Sequence, residues 1–400
     1  MRGKAPIEHG RTDASGTDAS AEPPTDPTAT AQGGHDRAPD GAHDGAAGHS
    51  TNHTEEMPRV RLTRGRLLAS LIFVASTAAF LYFVLPKLLG LRDTWNRIQH
   101  GNLWWLALGA VLEVCSFLGY VVLFRAVFVR RDSRIDWRAS YEITMAGLAA
   151  TRLFASAGAG GVALTAWALR RSGMEPRIVA CRMIAFMALL YAVFMGCLLI
   201  VGLGLYFGLL PGQNPFAITV IPAIFGGAVI VIFLAVSLLP GDFDRLVARW
   251  SRGGRLGRLA GHAAAAPAAA ASGVRTAIDL VRGRDWALLG AIGWWGFDIA
   301  VLWSCFHAFG GAPPTAVVVM SYFIGMLGNV LPLPGGIGGV DGAMIGAFSA
   351  FGVSPSLAVV SVLAYRAFAF WLPTFPGAVA YLQLRRTVNR WRTERAPSYT

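Results

Sequence analysis

Six charged residues stand inside long apolar runs: Glu113, Arg152, Arg182, Asp298, Asp341 and Arg366. A charge placed in hydrocarbon is costly, so such residues face a protein interior or a wet cavity and mark binding sites or transport pathways. Asp341 and Arg366 make the preferred pair, because both fall in the second of two repeats; Arg152 and Arg182 fall in the first. A cationic site beside free backbone amides suits a phosphate group. The structural alternative is a set of ion pairs that lock helices together. His307, near the end of an apolar run, reads as a packing residue rather than a ligand.

The amides come from a glycine-rich break, Leu331-Pro332-Leu333-Pro334-Gly335-Gly336-Ile337-Gly338-Gly339-Val340-Asp341. Proline and glycine interrupt a helix, and its backbone polar groups then need other partners. A bilayer tolerates such backbone only where protein or a water-lined cavity surrounds it. A helix restarts near Val340, and its N-terminal amides face the break. The plain reading is a loop capped by Asp341. A second copy argues for more: Gly158-Ala159-Gly160-Gly161-Val162 matches Gly336-Ile337-Gly338-Gly339-Val340 at an offset of 178 residues. Gly147 falls on Gly325 at that offset and, one residue further on, Gly173-Met174-Glu175-Pro176 falls on Gly352-Val353-Ser354-Pro355. Each copy reads apolar helix, glycine break, short helix, Gly-x-x-Pro, long apolar helix, the order expected of transporter-like repeats built on broken helices. The candidate substrate-binding residues are therefore Gly158, Gly160, Gly161, Gly335, Gly336, Gly338, Gly339, Asp341, Arg366, Arg152 and Arg182.

The elements that must carry these residues are membrane helices. Of 400 residues, 54% are hydrophobic and 14% charged, which defines an all-α polytopic membrane protein. Residues 1–57 hold 4 Lys/Arg and 10 Asp/Glu, and too few large apolar side chains to fold; they read as a disordered cytoplasmic tail. Residues 58–395 form the membrane domain. Full spans are expected at Leu67–Leu85, Leu103–Phe124, Pro176–Leu209, Phe216–Leu239, Trp286–Phe309 and Pro355–Leu382. Re-entrant hairpins are expected at Ala139–Leu169 and Thr315–Phe351. Residues 240–285 form a basic cytoplasmic loop, with Asp244–Trp250 and Val274–Val281 as candidate surface helices and Ala263–Ala271 as linker. Arginines flank the runs on one side, which places both termini and 240–285 in the cytoplasm and the turns 210–215 and 310–314 outside. The hairpins then enter from opposite faces, as inverted repeats do. The rival arrangement has eight or more full spans.

Cys115, Cys181, Cys197 and Cys305 lie in or beside apolar runs without CxxC spacing and read as small buried thiols. There is no nucleophile triad, metal cluster or Walker loop, so neither catalysis nor a metal or other cofactor is expected. The formal charge of +12 sits in short flanks of membrane runs and points to anionic lipid rather than nucleic acid.

Pro334-Gly335-Gly336-Ile337-Gly338-Gly339-Val340-Asp341, with Phe351-Gly352-Val353 and Tyr365-Arg366, resembles the lysylphosphatidylglycerol synthase transmembrane-region family, also called flippase-like domain proteins. The resemblance covers roughly 67–390. The family usually has Glu at Asp341, and an acid in the first repeat where Val162-Ala163-Leu164 stands here. The resemblance implies translocation of a phospholipid or polyprenyl-linked envelope lipid across the cytoplasmic membrane, without the soluble aminoacyltransferase domain of larger relatives. A membrane enzyme, or the partner of a lipid-modifying enzyme acting on head groups, is the alternative. A scaffold without transport is a third.

Overall fold

The computed structural model describes residues 100–129, 133–153, 159–238, 269–330, 336 and 338–393. The tail 1–57, the expected span Leu67–Leu85 and the candidate helix Asp244–Trp250 lie outside them. Regular structure in the described residues is helical throughout: α1 (Leu103–Phe128), α2 (Trp137–Leu153), α3 (Ala159–Arg171), α4 (Pro176–Tyr206), α5 (Phe216–Ser237), α6 (269–282), α7 (Gly290–Phe309), α8 (Thr315–Leu327), α9 (Gly339–Ala350), α10 (Pro355–Arg366) and α11 (Leu372–Thr393). A 3-10 turn, Trp286–Leu289, leads into α7, and another, Gly328–Val330, follows α8. A π-helical turn, Ala367–Trp371, joins α10 to α11.

Five stretches are long and apolar enough to cross a bilayer: Leu103–Phe128, Pro176–Tyr206, Phe216–Ser237, Trp286–Phe309 and Pro355–Trp391. Their outward faces are hydrocarbon; Ile224, Val231 and Ile200, for example, are largely exposed, as lipid-facing side chains must be. By contrast α2, α3, α8 and α9 are only about 18–26 Å long at 1.5 Å per residue, short of the ~30 Å hydrocarbon core. They pack in pairs, α2 on α3 and α8 on α9. Among the described residues the apolar runs therefore form five spans and two hairpins, not a series of full spans.

The hairpins enter from opposite ends. Asn102 N–H donates to Ala308 O at 2.9 Å, Gly212 touches Val317, and Gly352 touches Gln213, so the outer ends of α8 and α9 share one end of the molecule with the start of α1 and the α4–α5 turn. At the other end Arg182 Nη1 donates to Phe128 O at 3.2 Å, and the open end of α2 meets α11 where Thr387 Oγ1 donates to Glu142 Oε2 at 2.6 Å. Two apolar cores follow this plan. One surrounds α2 and α3 and takes Leu384, Val388 and Trp391 from α11; the other surrounds α8 and α9 and takes Phe194 and Leu198 from α4. Each hairpin thus packs against a long helix of the other repeat.

The repeat is realised atom by atom at Gly-x-x-Pro. Gly173 (φ 104°) and Gly352 (φ 79°) both take the left-handed conformation. Met174 N–H donates to Leu169 O at 3.2 Å, and Val353 N–H to Phe348 O at 3.0 Å, the same helix-ending bond in each copy. Glu175 and Ser354 then turn into extended backbone, and the proline behind each opens the next helix. The tips also correspond. A Cβ on Gly161 would lie 2.5 Å from Gly147 O, and one on Gly328 would lie 2.5 Å from Gly339 O, so Gly161 and Gly339 both sit where their arms touch backbone to backbone.

Two expectations need correction. The candidate surface helix Val274–Val281 is helical as expected, but it belongs to a longer helix, 269–282, that takes in the end of the Ala263–Ala271 tract and packs one face into the bundle. Ala271, Val274 and Ala277 are buried, Gly273 abuts Ile184, and Cys181 Sγ lies 2.9 Å from Ser272 Oγ. This helix packs on α4, because its small residues permit close approach. The last helical run also continues past Leu382 to Thr393, since Leu384, Val388 and Trp391 supply a buried face against α2 and α3.

Candidate functional site

Asp341 is the third residue of α9. Gly338 (φ 87°) caps that helix and donates its N–H to Asp341 Oδ2 at 2.8 Å, so the carboxylate satisfies one of the amides left free at the break. Its other oxygen, Oδ1, lies 2.8 Å from Arg366 Nε. That is contact by distance; it lacks the alignment of a hydrogen bond. Arg366 ends α10, directly before the π turn. A π turn carries an extra residue per turn and re-aims the side chains around it.

Asp298, on α7, is buried and accepts two hydrogen bonds at Oδ2. Tyr365 Oη donates at 2.9 Å and Tyr322 Oη donates through a very short contact. Glu113, on α1, is 1% exposed and stands within electrostatic reach of Asp298 and Arg152, while its Oε2 has no hydrogen-bond partner. Arg152, near the tip of α2, is within reach of Glu113, Asp298, Tyr365 and Arg366. Its Nη1 is buried without a hydrogen bond, and its guanidinium carbon lies 5.9 Å from the Phe117 ring centre.

Four helices deliver this cluster to one depth. Counted from Leu103, Phe309, Ala350 and Pro355, the residues Glu113, Asp298, Asp341 and Arg366 all lie about 14–17 Å along their axes at 1.5 Å per residue. That is half of a ~30 Å hydrocarbon core. The hairpin tips meet the cluster there, with Arg152 arriving from the opposite end of the molecule.

Beside it lies an apolar groove of about 620 Å³, lined among others by Phe117, Leu118, Met145, Phe368, Trp371 and Phe375. Phe117 belongs to both the groove and the Arg152 contact, and Ala367, next to Arg366, also lines it. A polar cluster with two guanidinium groups thus adjoins a hydrocarbon-lined groove.

The remaining sequence candidates fall as follows. Gly160 and Gly161 form the first turn of α3, Gly161 against Thr151 and Gly147. Gly336 (φ 67°) packs on Asn329 and Val340, whereas the Cβ direction of Gly338 points into open space. Gly158 and Gly335 lie outside the described residues. Arg182 is not brought to the cluster; bonded to Phe128 O at the end of α1, it lies about 22 Å along that helix from Glu113 at 1.5 Å per residue. His307 packs between Trp105 and Trp303 and accepts from Ala312 N–H through Nδ1 at 3.3 Å. Sequence reasoning singled out Glu113 and Asp298 as buried charges but gave them no partner, and it assigned nothing to Tyr322. A tyrosine in an apolar helix carries no signal by itself; only its meeting with Asp298 does.

The spans, hairpins and central cluster define a polytopic α-helical membrane protein built on two broken-helix repeats. Residues 67–377 match the family described as Lysylphosphatidylglycerol synthase TM region, and the chain belongs to that family. Among curated proteins it is similar to a UPF0104 membrane protein of Methanothermobacter thermautotrophicus, 31% identical over 91 residues, covering 22% of this chain and 26% of that protein. It is also similar to a UPF0104 membrane protein of Methanocaldococcus jannaschii, 36% identical over 95 residues, covering 24% and 28%. The matched segments thus span about a quarter of the length of these relatives.

Proposed function

We propose that the protein moves an anionic amphiphile, a phospholipid or polyprenyl-linked envelope lipid, between the leaflets of the cytoplasmic membrane, with both termini in the cytoplasm. The observation that carries this reading is Arg152: a guanidinium at the tip of a re-entrant hairpin, with a buried Nη1 that has no hydrogen-bond partner, beside an open hydrocarbon groove. A buried donor without a partner is costly, and a phosphate oxygen would satisfy it. Arg366 supplies the second cation. The acyl or prenyl chains occupy the groove, so only the head group leaves the interface. Membership of a family named for a lipid synthase's membrane region agrees with a lipid substrate.

The test is exchange of a labelled phosphatidylglycerol between leaflets of vesicles holding the purified protein. Wild type should exchange the lipid, and Arg152→Lys, which keeps the positive charge but not the planar fork, should lose at least tenfold in rate while keeping most of its thermal stability in detergent. Exchange no faster than in empty vesicles would overturn the reading. Turnover of the head group in the same vesicles would instead favour an enzymatic role.

A further inference from the structure

We propose that a second apolar groove, between α4, α7 and α8, holds the hydrocarbon chains of the translocated lipid in the opposite half of the bilayer, so that the lipid enters through one groove and leaves through the other. This groove has a volume of about 490 Å³ and is lined among others by Cys197, Trp295, Gly296, Ile299, Val319 and Phe323. The proposal rests on the reading of the first groove and Arg152 as a lipid site. It adds the site that takes the lipid on the far side.

The two grooves are one feature present twice. Phe117, Leu118 and Val121, which line the first, fall on Trp295, Gly296 and Ile299 of the second at the repeat offset of 178 residues. Tyr141 and Met145 fall on Val319 and Phe323 at the same offset. Leu372 and Pro376 lie 179 residues beyond Val193 and Cys197, the offset of the Gly-x-x-Pro motif. Each groove is therefore walled by the span and first hairpin arm of one repeat and by the last helix of the other. Hydrocarbon exposed on α5, such as Ile224 and Val231, has no such counterpart, because α5 lies between the repeats.

Their placement along the spans follows from one bond. Ser116 Oγ donates to Trp294 O at 2.8 Å, and Ser116 falls on Trp294 at the same offset of 178 residues. A residue bonded to its own counterpart stands beside the axis that exchanges the repeats, and Ser116 is midway along α1. Helices α1 and α7 run antiparallel through this point: Asn102 meets Ala308 at one end, and Gly290 abuts Leu123 towards the other. From Ser116 the first groove extends to Val121, on the side of Phe128. From Trp294 the second extends to Trp303, on the side of Ala308, and Thr315 at the outer end of α8 also lines it. The grooves thus occupy opposite halves of the spans, one for each leaflet.

Both grooves reach the polar centre through one repeat position. The Phe117 ring centre lies 5.9 Å from the guanidinium carbon of Arg152. The ring of its counterpart Trp295 lies 6.2 Å from that of Tyr322, whose hydroxyl donates to Asp298. The Trp295 indole N–H donates to Leu190 O at 2.9 Å and holds this wall against α4. Each groove is therefore hydrocarbon along its length and polar at its inner edge, the pattern of an amphiphile. Exchange between leaflets turns a lipid end for end. The axis beside Ser116 does the same to the groove, so the site left and the site entered are one design inverted.

The test is exchange of labelled phosphatidylglycerol in vesicles with the second groove filled. A Cβ on Gly296 would meet nothing within 4 Å, so Gly296→Trp fills the groove without pressing on the helices around it. It should keep wild-type thermal stability in detergent and slow exchange by about tenfold or more, because the indole takes the place of chain methylenes. Ile224→Trp, on the lipid-facing side of α5, should exchange at the wild-type rate. Should Gly296→Trp fail to fold, an alkyl methanethiosulfonate blocks the folded protein at half-buried Cys197, in a chain whose other cysteines are alanine. Exchange should fall on modification and return with reductant. Wild-type exchange with the groove filled, or equal slowing by Ile224→Trp, overturns the proposal and leaves the lipid reading standing. A Gly296→Trp protein that changes from dimer to monomer in detergent marks an interface between copies and also overturns it. Wild-type protein that exchanges lipid no faster than empty vesicles overturns both readings.

Discussion

Arg366 Nε lies 2.8 Å from Asp341 Oδ1, tying the last turn of α10 to the first turn of α9 at the mouth of the glycine break. Both side chains are largely buried, so the pair positions the hairpin tip as well as charge. The two roles separate by mutation.

Removing one partner leaves the other charge uncompensated, at a cost of roughly 3–5 kcal/mol where burial is complete. Arg366→Gln should destabilise the protein within that range. Asp341→Ala should cost about 1 kcal/mol more, because it also strips the acceptor from Gly338 N–H. The double variant Asp341→Asn with Arg366→Gln should recover most of the stability. Thermal unfolding in detergent checks the order, and equal losses in the two single variants would count against the capping role of Asp341.

Gly336 and Gly338 both adopt left-handed backbone, which costs a side-chain-bearing residue about 1–2 kcal/mol. Gly338→Ala should lose only that, since its Cβ would meet open space. Gly336→Ala should lose clearly more, because its Cβ would collide with Asn329 Oδ1 and lie 2.8 Å from Val340 Cγ2. The same unfolding assay reads the difference, and the reverse order would show that the break relaxes freely.

Labelling should follow the two ends of the molecule. Single cysteines at 213 and 312 should react with a membrane-impermeant thiol reagent from one side of intact cells, and one at 284 only after permeabilisation. The contact of Gly352 with Gln213 puts the outer end of the second hairpin on the side of 213. Labelling of 284 from the side that labels 213 would defeat the arrangement.

Glu142 provides a structural control. It is fully buried, accepts from Arg138 Nε at 3.0 Å and from Thr387 Oγ1 at 2.6 Å, and joins α2 to α11 away from the central cluster. Glu142→Ala should lower stability by about 1 kcal/mol, since it removes two hydrogen bonds whose partners, exposed Arg138 and half-buried Thr387, can still reach water. The surviving folded protein should exchange lipid at the wild-type rate in vesicles. A specific loss of exchange would extend the functional site to that end of the bundle.

Hydropathy alone determined the five spans of the described residues, because a helix in hydrocarbon must be long and apolar whatever its neighbours are. The glycine breaks and the Gly-x-x-Pro motif were equally legible, since their demand on the backbone is local: Gly173 and Gly352 end their helices by the same hydrogen bond in both copies. The pairing of Asp341 with Arg366 followed from two rare charges lying close in one repeat. What the tertiary structure decided is everything that depends on which helices meet. Arg182 looked like Arg152 along the chain, yet one caps α1 and the other reaches the centre. Val274–Val281 read as a helix on the membrane surface, yet buried Ala271, Val274 and Ala277 seat the helix 269–282 on α4. The meeting of Glu113, Asp298, Tyr322 and Tyr365 has no local signature at all. It arises because four helices from two repeats cross at one depth, and no spacing along the sequence encodes that crossing.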